Sequence, residues 1–156
     1  MMSNNPYSQF TGVPMSSDDI ETLLESEGYG ILSLARDDEP YSIPISFGYD
    51  GESIYLGLLE LDQDPTKRAF IGDGATARLL VTDISHRFDW RSIAVAGPLR
   101  SIDKGTEQWE DLLDTLEDNA WFMPAFERSG AIESIQGWEL EIDELTGLEQ
   151  KEESYE

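Results

Sequence analysis

The stretch YSIPISFGYDGESIYLGLL at positions 41–59 constrains the fold more than any other part of the chain. Over 41–49, Tyr41, Ile43, Ile45, Phe47 and Tyr49 alternate with Ser42, Pro44, Ser46 and Gly48. A period of two belongs to a strand with one face in a core. Asp50 and Gly51 follow, and then the apolar run SIYLGLL at 53–59. Asp-Gly between two such runs predicts a tight hairpin, because the turn needs positive φ and glycine adopts it without strain. A two-stranded hairpin is not stable alone, so further strands must complete a sheet around it.

The chain supplies them. YGILSLA at 29–35 is short and apolar, and the turn RDDEP joins it to 41–49, so the first three strands form an antiparallel meander. TARLLVTD at 76–83 reads as a fourth strand and WRSIAVAGPLRSI at 90–102 as a fifth, with ISHRFD as the loop between them. Gly97 and Pro98 predict a bulge or bend in the fifth strand. WELEIDEL at 138–145 alternates as a sixth, with Trp138, Leu140 and Ile142 on one face.

Helical signals are fewer. Ser16 and Ser17 offer an N-cap, Asp18 and Asp19 suit the first turn, and Ile20, Leu23 and Leu24 sit at i, i+3, i+4 before Gly28. A short helix starts at Asp64 and Pro65 and ends at Gly72 and Gly74. Residues 104–117 carry the stripe Trp109, Leu112, Leu113 and Leu116, and NAWFMPAF holds another short turn or helix. The expected organisation is a flexible arm at 1–15, one domain at 16–148 and a disordered acidic tail at 149–156. Many short antiparallel strands with few helices predict a mainly β fold, a small β-barrel with helical decorations.

Charge narrows the partners. The chain has 33 acidic residues against 10 lysines and arginines, a net charge of −23. Such a surface repels nucleic acid and anionic membrane. The acids are dispersed along the chain, as in adaptation to a salt-rich cytoplasm, where counterions screen self-repulsion. There is no cysteine, which excludes disulfides and thiolate chemistry. No apolar run reads as a signal peptide or a membrane span, so a cytoplasmic location is expected.

Several chemistries drop out. A single histidine, His86, rules out a histidine-rich metal site, and it sits in a polar loop. GDGATA at 72–77 matches G-x-G-x-x-A, but it follows a helix and leads into a strand, the reverse of a dinucleotide loop. Two features remain. One is the bare face of Ser42, Pro44, Ser46 and Gly48, with Gly57 on the facing strand and Ser92, Ala94 and Ala96 on the fifth. A flat ring can lie against such backbone; tight packing between strands is the competing reading. The other is PTKRAF at 65–70. Thr66, Lys67 and Arg68 stand at a helix start, where free amides, a hydroxyl and two cations suit a phosphate. Neutralisation of nearby acids such as Asp62, Asp64 and Asp73 is the competing reading there. Together the two features point to a phosphorylated planar cofactor.

The run GYGILSLARDDEPYSIPISFGYDGESIYLGL, followed by PTKRAF and WRSIAVAGPLRSID, resembles the pyridoxamine 5′-phosphate oxidase-like flavin-binding split barrels over about residues 17–147. The resemblance implies a six-stranded split-barrel homodimer with FMN between subunits. It implies that Ser42, Ile43, Pro44, Ile45, Ser46 and Phe47 lie along the flavin ring, with Leu56 and Gly57 adding contacts. It implies that Thr66, Lys67 and Arg68 hold the phosphate, and that Arg91 and Ser92 add polar contacts, often from the other subunit. The expected activity is a flavin-dependent oxidoreductase with a small-molecule substrate and NAD(P)H as a possible electron donor. No residue stands out as general acid or base. Other readings are a flavin carrier or sensor, an enzyme of the deazaflavin F420, and a barrel without cofactor. The loop LELDQD at 59–64 is acidic where many relatives are glycine-rich or basic. The sequence also ends without the basic, tryptophan-bearing segment that holds vitamin B6 phosphate in true pyridoxamine phosphate oxidases, so another substrate is expected.

Overall fold

The structure is a computed structural model that describes residues 12–59, 70–117 and 135–151. In chain order it contains β1 (Val13–Pro14), α1 (Ser17–Ser26), β2 (Tyr29–Arg36), β3 (Glu39–Tyr49), β4 (Ile54–Leu59), β5 (Thr76–His86), β6 (Asp89–Ile102), α2 (Glu107–Glu117), β7 (Ile135–Leu140) and β8 (Glu144–Gln150).

Local chemistry sets the ends of these elements. Ser16 caps α1, its hydroxyl accepting from Asp19 N at 3.1 Å, and Ile20, Leu23 and Leu24 turn inward. The β2–β3 turn has two residues, Asp37 and Asp38, both at positive φ (50° and 63°), the geometry that matches the right-handed twist of a hairpin. At the β3–β4 turn Asp50 Oδ1 accepts from the amides of Glu52 (2.9 Å) and Ser53 (2.8 Å).

The strands close into a six-stranded antiparallel barrel in the order β6–β5–β2–β3–β4–β7, with β7 returning to β6. Closure rests on the length of β6. Its Trp90–Ala96 half pairs with β8, while Leu99–Ile102 pairs with β7. Gly97 stands at the changeover. A Cβ there would lie 1.7 Å from the carbonyl oxygen of Glu141, so only glycine lets the two backbones pass. Glu141 N donates to Pro98 O and Asp143 N to Ala96 O, each at 3.0 Å, which stitches the crossing.

Inward residues of alternating strands fill the barrel, among them Leu32, Phe47, Leu56, Leu79, Val95 and Leu99, each at most 1% exposed. Outside it, α2 lays Trp109, Leu112 and Leu116 on Tyr55, Ile102 and Ile135.

Four expectations need correction. The single strand expected at 138–145 is two, split at 141–143 where the chain crosses β6. The bulge expected at Gly97 and Pro98 is absent, since the β5–β6 register runs through both; the shift falls between Ile84 and His86. The loop ISHRFD is a tight hairpin, because β5 runs to His86 and β6 starts at Asp89. The tail expected at 149–156 does not begin at 149: Glu149 and Gln150 are buried in β8, and Trp90 Nε1 donates to Gln150 Oε1 at 3.1 Å. Residues 60–69 and 118–134 lie outside the described residues, and with them most of the helix expected from Asp64 and the NAWFMPAF segment.

Candidate functional site

The barrel parts at β3. This strand pairs with β2 from Glu39 to Ser46, but with β4 only from Phe47 to Tyr49. From Gly57 on, β4 pairs only with β7. Phe47 N donates to Gly28 O at 3.1 Å, on the β2 side. Backbone groups alternate sides along a strand. Those of Ser42, Pro44 and Ser46 therefore turn the other way, where no strand pairs with them among the described residues. Pro44 has no N–H to offer, which suits such an edge. Tyr41 stacks on Phe70 at this end, centroids 5.0 Å apart and planes 10° apart.

The outer side chains of β3 are small, as the sequence suggested. Ser42 and Pro44 are exposed and Ser46 is half-buried. Gly48 does not extend the strip, because α2 covers it: a Cβ there would lie 2.4 Å from Thr115 Cγ2. Tyr29, Pro44, Ile45 and Ser46 line a shallow concavity of about 260 Å³. Ser42 Oγ lies 2.9 Å from Ser33 Oγ of β2, a hydrogen bond across the hairpin. A second concavity, of about 360 Å³, opens over β2, β5, β6 and β8. Large apolar side chains are exposed around it on the same outer face: Leu80 (40%), Ile84 (67%) and Leu148 (42%).

The structure brings some candidate residues together and separates others. Ser42, Pro44 and Ser46 share the open edge. The side chains of Ile45, Phe47 and Leu56 are in the core and Ile43 packs against it, and the backbone groups of Ile43, Ile45 and Phe47 turn toward β2, so the open edge is presented by Ser42, Pro44 and Ser46 instead. Gly57 pairs with Gly137 of β7. Ser92 lies on β6, three strand spacings from β3, roughly 14 Å along the sheet. Arg91 is held by the carboxylate of Asp83, its register partner on β5. That hydrogen bond holds the guanidinium above its ordinary pKa, with the nearby Glu149 and Asp19 carboxylates adding to it. Arg91 is thus committed within its own subunit. Thr66, Lys67 and Arg68 lie outside the described residues.

Two residues that matter to the outer face were not singled out as site residues from sequence. Arg78 points outward between the core residues Ala77 and Leu79, and Ser33 stands opposite it in register. The alternation of TARLLVTD places Arg78 outside. Among the described residues no group of three or more histidine, cysteine or carboxylate side chains is arranged to hold a metal. No helix among them is long and apolar enough to cross a membrane.

The family model for pyridoxamine 5′-phosphate oxidase matches residues 16–149. The chain belongs to this family. No curated protein matches it significantly. Solved structures share its fold. An FAD- and heme-binding protein from Mycobacterium smegmatis is 21% identical with a TM-score of 0.68, over 90% of this chain and 74% of its own. An FAD-binding protein from Mesorhizobium loti is 18% identical with a TM-score of 0.66, over 90% and 97%. The heme storage protein HutZ from Vibrio cholerae is 8% identical with a TM-score of 0.65, over 85% and 94%. At these identities the likeness is one of fold.

Proposed function

We propose that this protein binds a flavin, in the form of FMN, along the open edge of β3 and acts as a flavin-dependent oxidoreductase on a small molecule. The observation that carries the reading is the parting of β3 from β4. It leaves the backbone groups of Ser42, Pro44 and Ser46 turned away from β2, beside side chains small enough for a planar ring to approach. Membership of the pyridoxamine 5′-phosphate oxidase family supports the reading, as do fold relatives described as FAD-binding.

A bound flavin supplies the electron transfer; the chain supplies position and surroundings. The outward residues at the edge, Ser42, Pro44 and Ser46, do not titrate near neutral pH, so the protein's part there is orientation by hydrogen bonds. Thr66, Lys67 and Arg68 hold the single phosphate of FMN by charge-assisted bonds. Phe70, two residues beyond Arg68, is buried against Tyr41 of β3, which sets the chain at Phe70 beside the open edge. Ser92 is too far from β3 to serve the same flavin within one chain. It takes part only from a second copy, and the exposed Leu80, Ile84 and Leu148 give a homodimer an apolar surface to bury.

Titration with FMN and riboflavin, followed by quenching of flavin fluorescence, tests this. Each charge-assisted bond is worth roughly 1.5–3 kcal/mol, so the Lys67→Ala, Arg68→Ala double variant should lose at least 100-fold in FMN affinity. Riboflavin affinity should hardly change. Equal losses for both ligands would refute the phosphate role, and no uptake of either by the unaltered protein would refute the flavin reading.

A further inference from the structure

We propose that Arg78 supplies the positive charge that answers the negative charge a flavin gains on reduction at the open edge of β3. This role for Arg78 rests on the flavin reading above. A row of residues on the outer face leads from that edge to the guanidinium. Ser42 of β3 stands opposite Ser33 of β2, and Ser33 stands opposite Arg78 of β5. Ser33 Oγ and Ser42 Oγ lie 2.9 Å apart, so the two hydroxyls join β2 to β3 on that face. Arg78 is two strand spacings from Ser42, roughly 10 Å along the sheet. An arginine side chain extended along the row spans much of that gap. Ser33 and Arg78 also line one concavity, so nothing stands between them.

In a chain with 33 acids an arginine with no acid beside it is unusual. Among the described residues Arg91, Arg100 and Lys151 pair with carboxylates, Arg87 and Lys104 lie over aromatic rings, and Arg36 is also engaged. Arg78 has neither ion pair nor hydrogen bond among these residues. Away from β3 the row continues through Ala96 to Glu144, two spacings off, and no ion pair joins Glu144 to Arg78. A second copy seated on Leu80, Ile84 and Leu148 covers the ground around Arg78 and takes water from it. A guanidinium shut away from water needs a counter-charge. The Ser33–Ser42 end of the row points to one. Lys67 and Arg68 are given to the phosphate, which leaves Arg78 for the ring. Carbonyl oxygens on the ring's edge accept from a guanidinium in either redox state. A hydride from NADH or NADPH brings two electrons with one proton, so the ring gains one net negative charge. Arg78 therefore favours the reduced form over the oxidised one.

The midpoint potential of FMN bound to the full chain, read by spectroscopic titration against a reference dye, tests this. A charge-assisted pair present only in the reduced state is worth about tenfold or more in relative affinity. Arg78→Leu should therefore lower the potential by at least about 30 mV, the equivalent of tenfold for a two-electron couple. Arg78→Lys keeps the charge without the fork and should fall between the two. Arg78 is exposed within one chain, so circular dichroism melts should show both variants folded. A potential unchanged or raised in Arg78→Leu, with FMN still bound, would overturn the role of Arg78 and leave the flavin reading standing. Conversion of a dimer to monomer by Arg78→Leu in sedimentation would also overturn it, because Arg78 would then be the partner of an acid on a second copy. No FMN uptake by the unaltered chain would sink the flavin reading and this role with it.

Discussion

Replacing Gly97 with alanine strikes the place where one strand serves both β7 and β8. The new Cβ would sit 1.7 Å from a backbone carbonyl oxygen, that of Glu141, against the 3.4 Å or more of ordinary contact. The obstacle is backbone, so no side chain can swing aside. The chain at 141–143 must move by more than 1 Å, and two hydrogen bonds are at stake, Glu141 N to Pro98 O and Asp143 N to Ala96 O. Overpacking costs roughly 1–3 kcal/mol and each bond about 1 kcal/mol, a total of about 3–5 kcal/mol. That is a large share of the 5–15 kcal/mol typical of a whole domain. Urea unfolding at fixed high salt, followed by tryptophan fluorescence, would read it, since Trp90 and Trp138 lie on β6 and β7, the two strands joined there. Gly51→Ala is the control. It has φ +98° but nothing within 4 Å, so it should cost only the roughly 1–2 kcal/mol of an unfavourable backbone. If Gly97→Ala costs no more than the control, the crossing is not the constraint described.

Burial, aided by the charge of Asp50, pushes the Tyr55 hydroxyl up from 10.0 to about 12. The folded protein holds this proton more tightly than the unfolded chain. Its contribution is therefore intact below pH 10 and is lost between pH 10 and about 12, by up to about 1.4 kcal/mol per pH unit. An ultraviolet titration should show a late tyrosine phase near pH 12 that Tyr55→Phe diminishes, beside a raised Tyr49; all six tyrosines ionising together near pH 10 would contradict this. Leu112→Ala empties a fully buried site between α2 and the barrel and should cost about 2–5 kcal/mol in the same urea assay, with less than 1 kcal/mol as the contrary result. Dispersed acidity makes the melting temperature rise with sodium chloride, as screening shortens from about 10 Å at 0.1 M to about 3 Å at 1 M. A flat series would argue against salt adaptation.

The barrel was legible because its signals are local. The alternation of 41–49, the Asp-Gly turn and the stripe of Trp109, Leu112 and Leu116 each reflect a period or a turn that neighbouring residues decide. The break at 141–143 was not legible. Glu-Ile-Asp carries no glycine or proline there; what ends β7 is the passage over Gly97, more than forty residues earlier in the sequence. For the same reason Gly97 looked like a bulge from its own strand. The small face of β3 was readable as a pattern, but its limit at Gly48 was set by Thr115, a residue on a helix that no local rule connects to it. Ser92 and Ser42 both looked available for one ligand. Only the strand order places two strands between theirs, roughly 14 Å along the sheet.

The most direct measurement is the visible absorption spectrum of the protein isolated at high salt, with mass analysis of any chromophore released on denaturation. Bound flavin with the mass of FMN, its absorption bleached by NADH or NADPH, is the predicted result. A colourless protein that takes up no added FMN, or one whose only chromophore is heme, would contradict the central claim.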